Sequence, residues 1–190
     1  LLPHYATNLI TGRTSYRPVE IKGRPSSYKK DDKRLHVDAF PATPVQGKRI
    51  LRVFCNINPH QQPRVWHLGE PFSQVAAKFL PGITTPKPLQ AKLLKLFKLT
   101  KSLRTPYDHY MLNIHDNMKK DIIYQQQVDK IRMDFPPSST WITYTDITSH
   151  AALNGQYLLE QTFYLQPESM LDQNKSPLRI LEKMTGSTLV

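Results

Sequence analysis

A single cysteine, Cys55, in 190 residues leaves no partner for an internal disulfide, which suits a reducing compartment. No apolar run approaches the ~20 residues that a membrane-spanning helix requires, and no leader of charged, apolar and small residues opens the chain. The protein is therefore expected not to span a membrane. Acidic side chains are also scarce, 15 against 26 Lys and Arg, giving a formal charge of +11 and a pI near 9.8. Such an excess favours a polyanionic partner, whether nucleic acid, an anionic membrane surface or a phosphorylated substrate, and the sign alone does not choose. Internal repeats and low-complexity segments are absent. The first residues are Leu1 and Leu2 rather than Met, which reads as a trimmed or truncated start. What is present, a hydrophobic fraction of 39% with two Trp, nine Tyr and seven Phe, predicts one folded domain over residues 1–190.

Residues 1–32 read as loop and short strand, broken by Pro3, Gly12, Pro18, Gly23 and Pro25, and strongly basic through Arg13, Arg17, Lys22, Arg24, Lys29 and Lys30. They lead into Lys33-Arg34-Leu35-His36-Val37-Asp38-Ala39-Phe40. On a strand, side chains two apart share a face, so His36 and Asp38 would stand side by side while Leu35 and Val37 turn into a core. With a histidine from elsewhere, the pair would make the 2-His-1-carboxylate set that binds Fe(II) and leaves positions open. From these residues alone, an ordinary His/Asp hydrogen bond at an exposed strand end is the plainer reading.

The next β-rich run, Arg49 to Asn58, predicts a buried strand with Arg52 in its middle. A buried guanidinium needs an anion, either a protein carboxylate or a ligand carboxylate gripped by its fork. A second strand is expected over 62–69 and a helix from Phe72 to Leu80, ended by Pro81-Gly82. His60 and His67 are further possible ligands. Residues 89–101 form an amphipathic pattern, with Lys92, Lys95, Lys98 and Lys101 opposed by Leu93, Leu94, Leu96, Phe97 and Leu99. It reads either as a surface helix packed on the core by its apolar face or as a basic helix lying on anionic lipid. Thr105-Pro106-Tyr107-Asp108 is a capping box that starts a helix running to Lys120. The helical insertion thus spans about 70–121.

Strands return from Val128. Thr140 to Asp146 is nearly all β-formers, and Asn154-Gly155 predicts a hairpin between a strand ending near His150 and a return strand over 156–165. A last helix is expected at about 177–185, closed by Gly186. Short strands with helices gathered in the middle predict a mainly β fold, a double-stranded β-helix, jelly roll or cupin-like barrel, whose mouth is a ligand pocket.

With the His36-x-Asp38 string, the segments Gly47 to Phe54, Asn56-Ile57-Asn58-Pro59, Tyr107 to Leu112, His115 to Lys119, His150-Ala151-Ala152 and Leu159 to Phe163 together resemble the Kdo hydroxylases. These are Fe(II)- and 2-oxoglutarate-dependent dioxygenases that use O2 to hydroxylate C3 of 3-deoxy-D-manno-oct-2-ulosonic acid (Kdo) in the lipid A inner core of Gram-negative bacteria. The resemblance implies a jelly roll lacking its first part, with His36, Asp38 and His150 as catalytic metal ligands. It implies a Kdo-containing lipid A or lipopolysaccharide precursor as substrate, succinate and CO2 as products, and a cytoplasmic location peripheral on the inner membrane. Many 2-oxoglutarate enzymes hold the co-substrate's distal carboxylate with an Arg about ten residues after the second histidine, but no cation stands there, and the expectation passes to Arg52. Tyr107, His109, His115 and Asp116 either line the substrate pocket or serve helix packing, and the sequence does not distinguish the two. A 2-oxoglutarate oxygenase with another substrate and a non-catalytic jelly-roll module binding anionic glycans are the rival readings. Nucleic acid is not expected as a partner, since no aromatic platform or recognition helix accompanies the charge.

Overall fold

The computed structural model describes residues 3–23 and 25–190, with the side chain of Pro88 left aside. Arg24, one of the basic residues of the opening stretch, lies outside the described residues. The strands are β1 (Ile10–Arg17), β2 (Arg49–Asn56), β3 (Arg64–Pro71), β4 (Ile131–Phe135), β5 (Thr140–Tyr144), β6 (Thr148–Asn154) and β7 (Leu158–Leu165). The helices are α1 (Phe72–Phe79), α2 (Pro88–Leu96), α3 (Pro106–Lys120), α4 (Ile122–Gln127) and α5 (Pro177–Thr185). A four-stranded sheet in the order β1-β7-β2-β5 faces a three-stranded sheet in the order β4-β3-β6, and all pairings are antiparallel. This is the jelly roll that the strand pattern predicts. It is an open sandwich rather than a closed barrel, because among the described residues no strand pairing joins the two sheets.

Phe54 and Leu158 of the larger sheet meet Trp66 and Ala152 of the smaller one between the layers. On the outside of the smaller sheet, α1, α3 and α5 pack with Leu35, Val37 and Ala151 into the main core. α3 begins with the complete capping box, Thr105 Oγ1 accepting from Asp108 N and the Asp108 carboxylate from Thr105 N. The other Asp108 oxygen accepts from Val45 N and Gln46 N, so the same carboxylate fixes the 45–46 turn, where Gln46 has φ 55°.

Three expectations change. Asn154-Gly155 is not a hairpin turn: β6 pairs with β3 and β7 with β2 and β1, so the chain crosses from one sheet to the other. Positive φ at Gly155 (112°) and Tyr157 (57°) redirects the backbone there. The segment around His36 is extended but is not a regular strand. His36 exchanges backbone hydrogen bonds with His150 on β6, whereas Asp38 N donates to Thr145 O beyond β5, so the segment bridges two elements. Helix α2 ends at Leu96, and its expected apolar face does not enter the core. Only Leu94 of Leu93, Leu94, Leu96, Phe97 and Leu99 is half-buried, and the others are exposed.

A fully buried ion pair was not legible in the sequence. Arg49 on β2 binds Asp146 in a two-pronged pair at 2.7 and 3.0 Å, with its guanidinium 4.0 Å over the Tyr144 ring, and both residues are fully buried.

Candidate metal centre

Alternation in the extended segment sends Leu35 and Val37 into the core and turns His36 and Asp38 the other way, into a cavity of about 540 Å³ between the sheets. β6 applies the same rule. Ala151 faces the helices, while His150 and Ala152 line the cavity. The paired backbones of His36 and His150 then bring their rings to 4.6 Å between centroids, and His36 Nε2 lies 3.7 Å from Asp38 Oδ1. Potential ligand atoms of His36, Asp38 and His150 all lie within 4.8 Å of one another, and all three residues are buried.

The hydrogen bonds decide which histidine nitrogens are free. His36 Nδ1 is 2.8 Å from Arg34 O and His150 Nδ1 is 2.8 Å from Thr148 O. A carbonyl can only accept, so each Nδ1 carries the proton and each Nε2 keeps its lone pair toward the cavity. Burial pushes both imidazoles below the usual histidine range, so they are neutral at physiological pH. Burial would raise the Asp38 carboxyl, but the Arg52 charge, followed by His150 and His36, holds it well below the usual carboxylate range. Two neutral imidazoles and one carboxylate converge, and among the described residues Asp38 Oδ2 makes no hydrogen bond, its ionic neighbour being Arg52 Nε at 3.3 Å. That donor set fits a divalent first-row metal with open coordination positions, of which non-haem Fe(II) is the best-known case.

Supporting groups surround the trio. The Trp66 ring stacks on His150 at 5.0 Å, and His115 meets His36 edge-on at 5.4 Å. His115 Nδ1 is bonded to Asp116 at 2.9 Å, and Asp116 receives Lys29 at 2.6 Å, so these two sequence-expected residues do line the cavity. Tyr107 is instead buried in the helical core and His109 bonds Thr84 O away from the cavity. His60 is exposed and His67 half-buried on β3, and neither joins the trio.

Arg52 projects into the cavity from β2, its Nε 3.3 Å from Asp38 Oδ2 and its Nη1 3.3 Å from Glu160 Oε1. Glu160 also receives Arg17 at 2.9 Å. Glu160 stands ten positions after His150, where the commoner pattern has its cation, so this fold carries a carboxylate on β7 and the guanidinium on the neighbouring strand. Of the basic opening segment, Arg17, Lys29 and Lys30 reach the cavity, whereas Arg13 is exposed on β1. Sequence reasoning missed Arg64 and Lys119. Both are buried cavity cations, and nothing in their local patterns marks them.

A family model described as 3-deoxy-D-manno-oct-2-ulosonic acid (Kdo) hydroxylase matches residues 1–188. Solved structures of the Kdo hydroxylase KdoO, a non-haem Fe(II) α-ketoglutarate-dependent dioxygenase, align with TM-score 0.97 at 50% identity. One is in complex with α-ketoglutarate and Fe(III), one is the apo form and one holds cobalt(II). The alignment with the first two covers 99% of this chain and 64% of theirs, so the chain spans less than two thirds of the length of these relatives. No curated protein matches the chain.

Proposed function

Because the chain belongs to the Kdo hydroxylase family, we propose that it is an Fe(II)- and 2-oxoglutarate-dependent dioxygenase that hydroxylates C3 of Kdo on a lipid A precursor. The observation that carries this reading is the buried convergence of His36, Asp38 and His150, with both histidine Nε2 atoms free, in a basic cavity. His36 and His150 would hold the metal through Nε2, each ring fixed by its Nδ1 proton on a backbone carbonyl. Asp38 would be the third ligand, kept ionised by Arg52. Bound there, iron and 2-oxoglutarate with O2 would supply the oxidative chemistry that releases succinate and CO2 and hydroxylates the sugar. The protein's own share is position and exclusion of water: Phe54 and Trp66 wall the site, and Arg17, Lys29 and Lys30 give an anionic sugar acid a favourable approach.

For the co-substrate's distal carboxylate, Arg52 is one assignment. A second has a specific observation behind it. Arg64 faces the same cavity, and among the described residues no carboxylate lies within ion-pair distance of it. Its Nη1 donates to Gly155 O and its Nε has no hydrogen-bond partner among the described residues, while burial, with Arg17 nearby, lowers its pKa to about 10. The two separate in kinetics. The substitution that removes the anchor raises the 2-oxoglutarate concentration for half-maximal turnover at least about tenfold. Arg52→Ala also loosens the metal through Asp38, and Arg64→Ala does not.

The formal charge of +11 supports a peripheral, salt-sensitive association with the anionic cytoplasmic face of an inner membrane, where such a precursor resides. Among the described residues no helix is long and apolar enough to cross a membrane. Succinate release dependent on Kdo-lipid A, and not on a panel of peptides, nucleobases and small acids, tests the activity. Release that follows another substrate, or occurs with His36→Ala, overturns it.

A further inference from the structure

We propose that α2 and the turn after it are the element by which the protein docks on an anionic phospholipid surface, with Leu89, Leu96, Phe97 and Leu99 entering the headgroup region. The proposal rests on the membrane-facing part of the function above and names the residues that make the contact. Leu89 is 68% exposed, Leu96 71%, Phe97 68% and Leu99 63%. With Leu93 also exposed, five large apolar side chains open within eleven consecutive residues, which is unusual for a soluble surface. Helical spacing explains the pattern. Leu89, Leu93 and Leu96 fall on one face, while Ala91 and Leu94, on the other side, are the half-buried positions. The helix thus rests on the body by a narrow strip and turns its leucines outward.

The end of the helix extends this face. Lys98 N bonds Lys95 O and Leu99 N bonds Leu94 O at 2.9 Å, the two bonds of a Schellman ending, and Lys98 adopts φ 57° where glycine is usual. The chain therefore reverses with Phe97 and Leu99 both exposed.

Charge selects the occupant. Lys87, Lys92, Lys95, Lys98 and Lys101 are all exposed around the leucines, and no acidic residue occurs between 71 and 107. A second copy of this face would bring like charges together, whereas lipid phosphates neutralise them and the acyl boundary takes the apolar side chains. Position supports the same choice. The segment after the turn is fastened to residues 41–46: Lys101 N donates to Ala42 O, Gln46 Nε2 to Leu103 O and Arg104 Nη2 to Pro41 O. Phe40 and Pro41 line the cavity, so docking through α2 holds the cavity rim beside the surface that carries a lipid-linked sugar.

The test is co-sedimentation of the chain with phosphatidylcholine vesicles, with or without phosphatidylglycerol, comparing the wild type with Leu96→Glu/Phe97→Glu. We expect binding only to the anionic vesicles, weakened at least about tenfold by high salt and by the double substitution. Turnover of a water-soluble Kdo glycoside should be equal in the two proteins, while turnover of vesicle-embedded Kdo-lipid A falls in the variant. Equal vesicle binding by both proteins overturns the docking element, as does failure of the wild type to bind. A lipid-free dimer that the double variant dissociates also overturns it, since the face would then serve self-association. Absence of turnover on the soluble glycoside would instead refute the proposed activity, and sedimentation would still decide the docking.

Discussion

Arg52→Ala should destabilise the metal-free protein by about 3 kcal/mol, because it leaves a buried carboxylate without its cation. Arg52 touches both Asp38 and Glu160 at 3.3 Å, but Glu160 keeps Arg17 at 2.9 Å, so the loss falls on Asp38. A charge pair near this distance is worth about 4 kcal/mol at an effective dielectric of about 20, and breaking a buried pair typically costs about 3–5 kcal/mol. At roughly 2–4 °C per kcal/mol for a chain of this size, Tm should fall by about 6–12 °C. The assay is thermal unfolding of chelator-treated protein near neutral pH. Asp38→Asn in the Arg52→Ala background should recover much of the loss, since an amide needs no counter-charge. The cycle should give a coupling of about 2 kcal/mol. The sign with pH is fixed: Asp38 titrates below its ordinary 3.8 in the folded state, so the added stability is present above that value and disappears as pH falls through the folded-state value. The gap between wild type and Arg52→Ala should therefore narrow in acid. Additive effects of the two substitutions, or a Tm change under about 2 °C, would refute the pairing.

Asp146→Asn should cost about 3 kcal/mol, measured by urea unfolding, because Arg49 is 1% exposed and loses its only carboxylate among the described residues. Cobalt(II) affinity of the folded variant should stay within about twofold of wild type, since Asp146 does not line the cavity. Asp108→Ala should cost about 2 kcal/mol, more than Thr105→Ala at about 1, because Asp108 serves both the α3 cap and the 45–46 turn. Equal losses from the two would show that the turn does not depend on Asp108.

Local rules carried much of the site. Side chains two apart in extended chain share a face whether or not the chain pairs as a regular strand, so the common orientation of His36 and Asp38 could be read although their segment makes only an isolated bridge. Thr105 and Asp108 were legible because a capping box is complete within four residues. What failed depends on distant partners. Asn154-Gly155 has hairpin chemistry, but β6 and β7 find β3 and β2 instead, and a turn signal holds no information about which sheet each flank joins. The face that α2 presents to the body is set by what it packs against, and amphipathic spacing gives only that two faces exist. Arg49 and Arg52 are three residues apart on one strand, and only the opposite faces they occupy assign the first to Asp146 and the second to the cavity.

The most direct measurement is an anaerobic titration of the chain with Fe(II) and 2-oxoglutarate, followed by visible absorption. A single equivalent of iron should bind, with an absorption band that requires both additions and is lost in His36→Ala and in Asp38→Ala. Absence of the band in the wild type, or its persistence in either variant, would contradict the assignment of His36, Asp38 and His150 as the metal site.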